Sequence, residues 1–142
     1  MVTLNSSEVE PQFTMSFRGP APVNAPQGTL SDTINGKQFS SFDAKDSLHN
    51  MTVGTVEQFQ LDGVGHPMHV HVHPMQLQAD SADGWHQKGD WIDVMLGVQP
   101  FPIVRTRIDQ QLGLVVVHCH ILGHEDGGLM VSCGLMKIRT IL

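Results

Sequence analysis

The chain has 142 residues, enough for one domain with a substantial core but short for a multidomain protein. Its formal charge of -6, with no polybasic run, argues against nucleic acid as a partner, and no apolar stretch is long enough to span a bilayer. Tyrosine is absent and only 15% of residues are charged, while 14 glycines and eight prolines suit a turn-rich all-β domain better than a helical bundle.

In chain order, the opening MVTLNSSEVEPQF has neither a basic region nor an apolar one, so no signal peptide is visible in it. Residues 1–30, which end in PQFTMSFRGPAPVNAPQGTL, are rich in proline, polar and small residues and read as an extended arm or linker, leaving 31–142 as the packed domain. From Thr33 onward short β-type runs alternate with turn signals: TINGKQF around an Asn35-Gly36 turn, MTVGTVEQFQL, HPMHVHVHPMQLQ, DWIDVML, FPIVRTRI, LGLVVVHCH and LMVSCGLMKI. A spacing of about ten residues without a 3.6-residue period predicts a β-sandwich. Phe59 and Leu61 alternate with Gln58 and Gln60, as a half-buried strand requires. The polar segment from Ala79 to Asp90 reads as an exposed connection, with Trp85 and Trp91 expected to pack against the sandwich.

Nine histidines are the compositional outlier, and seven of them, counting His73 just after the first motif, fall in two short clusters. The first is His66-Pro67-Met68-His69-Val70-His71, an H-x-x-H-x-H pattern on a β-type run. Side chains alternate faces along a strand, so His69 and His71 point one way and His66 the other. The second is His118-Cys119-His120, followed by His124, Glu125 and the run Asp126-Gly127-Gly128-Leu129-Met130. Here Cys119 shares a face with Val115 and Val117, whereas His118 and His120 project to the opposite side. Cys119, His124 and His66 could supply the thiolate and two imidazoles of a blue-copper centre, leaving His69, His71, His118 and His120 for an all-imidazole site. Cys119 is then a metal ligand rather than half of a disulfide with Cys133, which sits in an apolar strand as a small buried residue.

These motifs resemble those of the C-terminal domain of multicopper oxidases of the laccase type, and the likeness runs from about Ile34 to the C-terminus through INGKQF, VGTVEQFQL, GHPMHVHVHPMQ, GDWIDV, VRTRI and HCHILGHEDGGLM. The resemblance implies a cupredoxin-like Greek-key β-sandwich. It also implies copper: His66, Cys119 and His124 at a type 1 ion, His69 at a type 2 ion, and His71, His118 and His120 at a type 3 pair. Donors, whether phenolic, aromatic or metal ions, would be oxidised one electron at a time at type 1 copper, and dioxygen would be reduced to water at the cluster. Glu125 resembles a position that delivers protons there, or it is a carboxylate that orients an imidazole. An extracellular or periplasmic location is the family expectation.

The family's axial type 1 position falls five residues after the last motif histidine, on the non-coordinating Leu129; a bulge at Gly127-Gly128 would shift it to Met130. A trinuclear cluster of this family takes eight histidines as four H-x-H pairs, and only two pairs are present here, His73 following His71 as a third only formally. The remaining histidines are therefore expected from an N-terminal cupredoxin domain or subunit, or from another copy in a homo-oligomer. The alternative is a single-domain blue-copper electron-transfer protein.

Overall fold

A computed structural model of the chain describes residues 12–19, 32–109 and 111–137. Eleven strands form two sheets. Strands β1 (Phe13–Arg18), β2 (Thr33–Ile34), β4 (Val56–Asp62), β6 (Met75–Leu77), β7 (Trp91–Ile92) and β9 (Ile103–Arg107) make a six-stranded sheet in the order β2-β1-β4-β9-β6-β7. Strands β3 (Asn50–Thr52), β5 (Pro67–Val70), β8 (Val94–Leu96), β10 (Gly113–Cys119) and β11 (Met130–Met136) make a five-stranded one in the order β3-β11-β10-β5-β8. The only helical pieces among the described residues are a 3-10 turn at Ala44–Asp46 and a five-residue helix α1, Leu122–Asp126. This is the cupredoxin-like β-sandwich expected. No helix among the described residues is long and apolar enough to cross a membrane.

The strands form because apolar residues recur at every second position. On β4, Phe59 and Leu61 are buried on one face, with Glu57 buried at the same parity, while Gln58 and Gln60 are only partly so. On β10, Val115, Val117 and Cys119 turn inward, opposite Cys133, Val131 and the chain leading to it on β11. One continuous core joins the two sheets, from Met15, Phe17, Phe59, Leu61 and Val104 on one side to Met68, Val70, Val117, Leu129 and Val131 on the other. At roughly 1.5–3 kcal/mol for each large apolar side chain fully buried, this interface is the main force holding the two sheets, and hence the histidine motifs, in register. The Asn35-Gly36 turn is as read: φ is +50° and +75° at its two central residues, and Ile34 and Lys37 exchange both backbone hydrogen bonds.

Two expectations are corrected. Part of the N-terminal arm is a packed strand: Phe13–Arg18 runs parallel to β4, Met15 and Phe17 are buried, and Ser16 and Arg18 bond Asp62 on the outer side. The alternation Met15, Phe17 was short and surrounded by proline-rich sequence, which hid it. Residues 1–11 and 20–31 of that arm lie outside the described residues. Trp85 does not pack on the sandwich but stands 84% exposed, because the loop closes on itself: Asp83 accepts from the Trp85 N–H at 2.9 Å, and Ser81 Oγ accepts from the His86 N–H at 3.0 Å.

Candidate metal centre

Adjacent strands β5 and β10 carry both motifs, and their register sorts the ligands. Met68 lies opposite Cys119, His69 opposite His118, and Val70 opposite Val117. Directly opposed residues share a face, so His69 and His118 stand side by side on the outside of the sheet while Met68 and Cys119 face the core.

Around Cys119 two loops close. His66 precedes β5 in a tight turn, its N–H donating to the Gly63 carbonyl at 3.1 Å and its carbonyl accepting from the Gly97 N–H at 3.1 Å. Gly65, at φ +79°, lets the chain bend there. His124 is carried by α1, and the loop from Cys119 to Leu129 is pinned at its base by the Cys119 N–H donating to the Leu129 carbonyl at 3.0 Å and the Leu129 N–H donating to that of His124 at 2.9 Å. The result brings His66 Nδ1 to 3.6 Å and His124 Nδ1 to 3.8 Å from Cys119 Sγ. The three donor atoms lie within 4.8 Å of one another. Such separations suit donors that each reach a single small ion at about 2.0–2.3 Å, and a thiolate with two imidazoles is a soft set that suits copper. Burial pushes the Cys119 thiol up, and a hydrogen bond from the Ile121 amide draws it partly back. Burial is also the first reason that His66 is pushed down, with the neighbouring His124 acting the same way and Asp32 opposing both. Burial and His124 thus favour the uncharged imidazole, which keeps one N–H and offers its other nitrogen to a metal.

Leu129 is fully buried in the core cluster that contains Cys119, whereas Met130 stands opposite His118 on the other face of the sheet. The Gly127-Gly128 segment absorbs its turn at Gly128, φ +100°, without shifting that pairing.

On the outer face, His69, His71 and His118 bring their ring nitrogens together. His71 Nε2 and His118 Nε2 are 3.1 Å apart. The opposite ring nitrogens are already engaged: His118 Nδ1 lies 3.0 Å from the Cys119 carbonyl and 3.2 Å from Glu125 Oε2, and His69 Nδ1 lies 2.9 Å from the Asp93 carbonyl. Protons held at Nδ1 leave Nε2 free to bind a metal. The thiolate pocket therefore offers Nδ1 and the outer group Nε2. His120 joins the outer face through its ring, 5.6 Å from His118 and 5.6 Å from His69, but its donor atom is not among the three that converge. His73 is buried with its Nδ1 against the His71 carbonyl at 3.2 Å, and His49 pairs with the buried Glu57 at 3.1 Å, so neither joins a ligand group. Cys133 is a free thiol, fully buried and pushed up to about 12 by burial. No motif marks the Asp93 carbonyl behind His69, Gly19 against the His66 ring, or Asp32, whose charge acts on His66; all three come from segments remote in sequence.

The multicopper oxidase family model matches residues 12–134. A multicopper oxidase of Staphylococcus haemolyticus is 30% identical over 115 residues, which are 76% of this chain and 25% of that protein. The bilirubin oxidase of Albifimbria verrucaria is 29% identical over 110 residues, 70% of this chain and 19% of its own length. The chain thus spans about a quarter or less of these relatives. The solved laccase of Pediococcus acidilactici shares the fold, with a TM-score of 0.69 at 22% identity over 96% of this chain and 29% of that one.

Proposed function

This chain belongs to the multicopper oxidase family, and on that premise we propose that it is the copper-bearing domain of a laccase-like oxidase, holding one complete ligand set and half of another. Residues 31–142, with β1, form the cupredoxin domain. His66, Cys119 and His124 would hold type 1 copper, with the non-coordinating Leu129 buried in the same core cluster as Cys119. His69 serves a type 2 ion, and His71, His118 and His120 serve a type 3 pair completed by histidines of another domain, subunit or copy. The observation that carries this reading is the convergence of two Nδ1 atoms on Cys119 Sγ at 3.6 and 3.8 Å while the adjacent His118 turns its Nε2 to His71 on the opposite face.

Bound copper would supply one-electron redox chemistry, accepting electrons singly at the thiolate site and passing them to dioxygen at the imidazole cluster. The chain's own part is to hold and connect. Cys119 and His118 are covalent neighbours whose side chains leave β10 on opposite faces, so a sulfur ligand of one site and an imidazole of the other are joined by a few bonds. The contact of His118 Nδ1 with the Cys119 carbonyl tightens that connection, and it needs no moving part. Met68 and Leu129, both fully buried, keep water from the sulfur side. Glu125 orients His118 through Oε2 and also lines an open cavity with Gln38, Phe39 and Met130, which places a carboxyl between solvent and the cluster for proton delivery. His66 and His124 are only partly buried and give a reducing donor an edge to approach. That relatives include a laccase and a bilirubin oxidase favours phenolic or related aromatic donors, with metal ions as the further class, and favours an oxidase over a freestanding blue-copper electron carrier. An extracellular or periplasmic location accompanies this reading.

Copper titration of the 142-residue chain tests it. An intense blue band should saturate at one copper per chain, and Cys119→Ser should abolish the band while copper still binds the outer histidines. Persistence of the band in Cys119→Ser would sink the ligand assignment.

A further inference from the structure

Asp32 is a residue that neither the strand pattern nor the metal motifs account for. It sits at φ +56°, immediately before β2, in the left-handed region that aspartate tolerates better than most residues. It is only 7% exposed, and its Oδ1 has no hydrogen-bond partner among the described residues. A buried carboxylate oxygen without a partner is costly, so its retention calls for a compensating role.

Its surroundings supply one. The Asp32 N–H lies 3.5 Å from the Gly19 carbonyl, and Gly19 packs so closely on the His66 ring that a Cβ there would come within 3.1 Å of Cε1. On the other side the carboxylate rests on Gly127, at the end of the helix that carries His124: a Cβ on Gly127 would meet Asp32 Oδ2 at 2.8 Å. Asp32 is therefore wedged between the segments that present the two histidine ligands. From there its charge acts on both His66 and Cys119. Among the described residues no cation pairs with it; Arg18 spends its guanidinium on Asp62 at 2.9 Å.

We infer that Asp32 is an electrostatic positioning residue of the thiolate site, its uncompensated carboxylate stabilising the more positively charged Cu(II) state and so holding the potential of bound copper down. This rests on the type 1 reading of His66, Cys119 and His124. The effect opposes that of Leu129: a site without an axial donor leans toward a high potential, and a fixed anion pulls it back. A unit charge acting over roughly 10 Å through an effective dielectric of about 20 alters such an equilibrium by about an order of magnitude.

The test is a mediated redox titration of the copper-loaded chain, followed at the blue band. Asp32→Asn keeps the shape and tolerates the same backbone angle. It should leave the band in place and raise the Cu(I)/Cu(II) ratio at a fixed ambient potential roughly tenfold, a rise of about 59 mV in midpoint. An unchanged midpoint with the band intact overturns the inference even if the melting temperature moves, because a purely structural role would alter stability alone. Loss of the band at an unchanged melting temperature also overturns it, since Asp32 would then be required for binding the metal. Should Asp32→Asn not fold, Gly127→Ala decides: its new Cβ must displace the carboxylate, so the midpoint should shift, by less than in Asp32→Asn, and a wild-type midpoint overturns the proposal. Absence of any blue band in the wild-type chain is a different failure, which removes the type 1 reading itself.

Discussion

On the inner face of β10, Cys119 is fully buried and meets both of its histidine partners within one chain. On the outer face, a residue away, His118 meets His69 and His71 on a surface where His71 and His120 are exposed. The inner pocket is built by two loops closing over a core residue, and its ligands come from segments held by backbone hydrogen bonds at either end. The outer group is an array on two paired strands, oriented from behind by the Cys119 and Asp93 carbonyls and by Glu125. Strand alternation thus divides one short sequence between a closed site and an open one. The closed site draws its three donors from under the loops of one chain, whereas the open one leaves His71 and His120 exposed.

The largest effects should come from removing one ligand on each side. His124→Ala should abolish the intense blue band while leaving copper at the outer group. His71→Ala should leave the band and weaken copper at the outer group by more than the ~10–100-fold typical of losing a mere orienting partner. Absorption and copper stoichiometry read the two separately. If either substitution removed both signals, the separation into two independent pockets would be wrong.

Next in size is the axial position. Leu129→Met exchanges side chains of similar volume at a fully buried site, so the fold should lose less than about 1.5 kcal/mol. A thioether at the copper stabilises Cu(II), so the midpoint should fall in a redox titration. Met130→Leu should leave it unchanged, since Met130 pairs with His118 on the other face. A shift in Met130→Leu and none in Leu129→Met would reverse the assignment.

The sequence made the sandwich and the division of ligands legible because both follow from a period of two: Phe59 and Leu61 against Gln58 and Gln60, and Cys119 against His118, are the same argument. The same rule also favours Leu129, which shares the parity of Val131 and Cys133 on β11. What could not be read depends on long-range closure. The strand at Phe13–Arg18 is recognisable only from its parallel pairing with β4, more than 40 residues away, and the outward turn of Trp85 depends on Asp83 and Ser81 closing their own loop. Asp32, Gly19 and Asp93 reach the ligands by folding rather than by spacing, so no motif marks them.

The two pockets should respond to acid in the same direction when free of metal. His66 and His71 are both pushed below the ordinary histidine value, first by burial and then by neighbouring histidines. The unfolded chain then binds protons at about pH 6.5, before the folded chain does, so stability is present above that pH and is lost as pH falls from it toward the folded values. The melting temperature of the copper-free chain should therefore drop between pH 7.5 and pH 5.5. His66→Ala and His71→Ala should each flatten that slope, and a flat profile in the wild type would contradict the shifts.

The smallest effect concerns how the open site is held. Val72, between His71 and His73, has φ +61°, a conformation that a β-branched residue adopts only under strain. It is 67% exposed, so no packing of its own side chain compensates for the strain. The constraint comes instead from its neighbours: the His71 N–H is tied to the Val116 carbonyl at 2.9 Å, and the His73 ring is buried against the His71 carbonyl. Val72→Gly would relieve about 1–2 kcal/mol of left-handed strain and give back about 0.5–1 kcal/mol as extra freedom in the unfolded chain. The copper-free protein should thus gain up to about 1.5 kcal/mol in denaturant unfolding. The turn no longer forces His71 toward His118, so copper affinity at the outer group should fall several-fold with the blue band unmoved. If Val72→Gly destabilised the copper-free chain, the positive φ would not be a store of strain, and the ordering of His71 would have to come from the β5–β10 pairing alone.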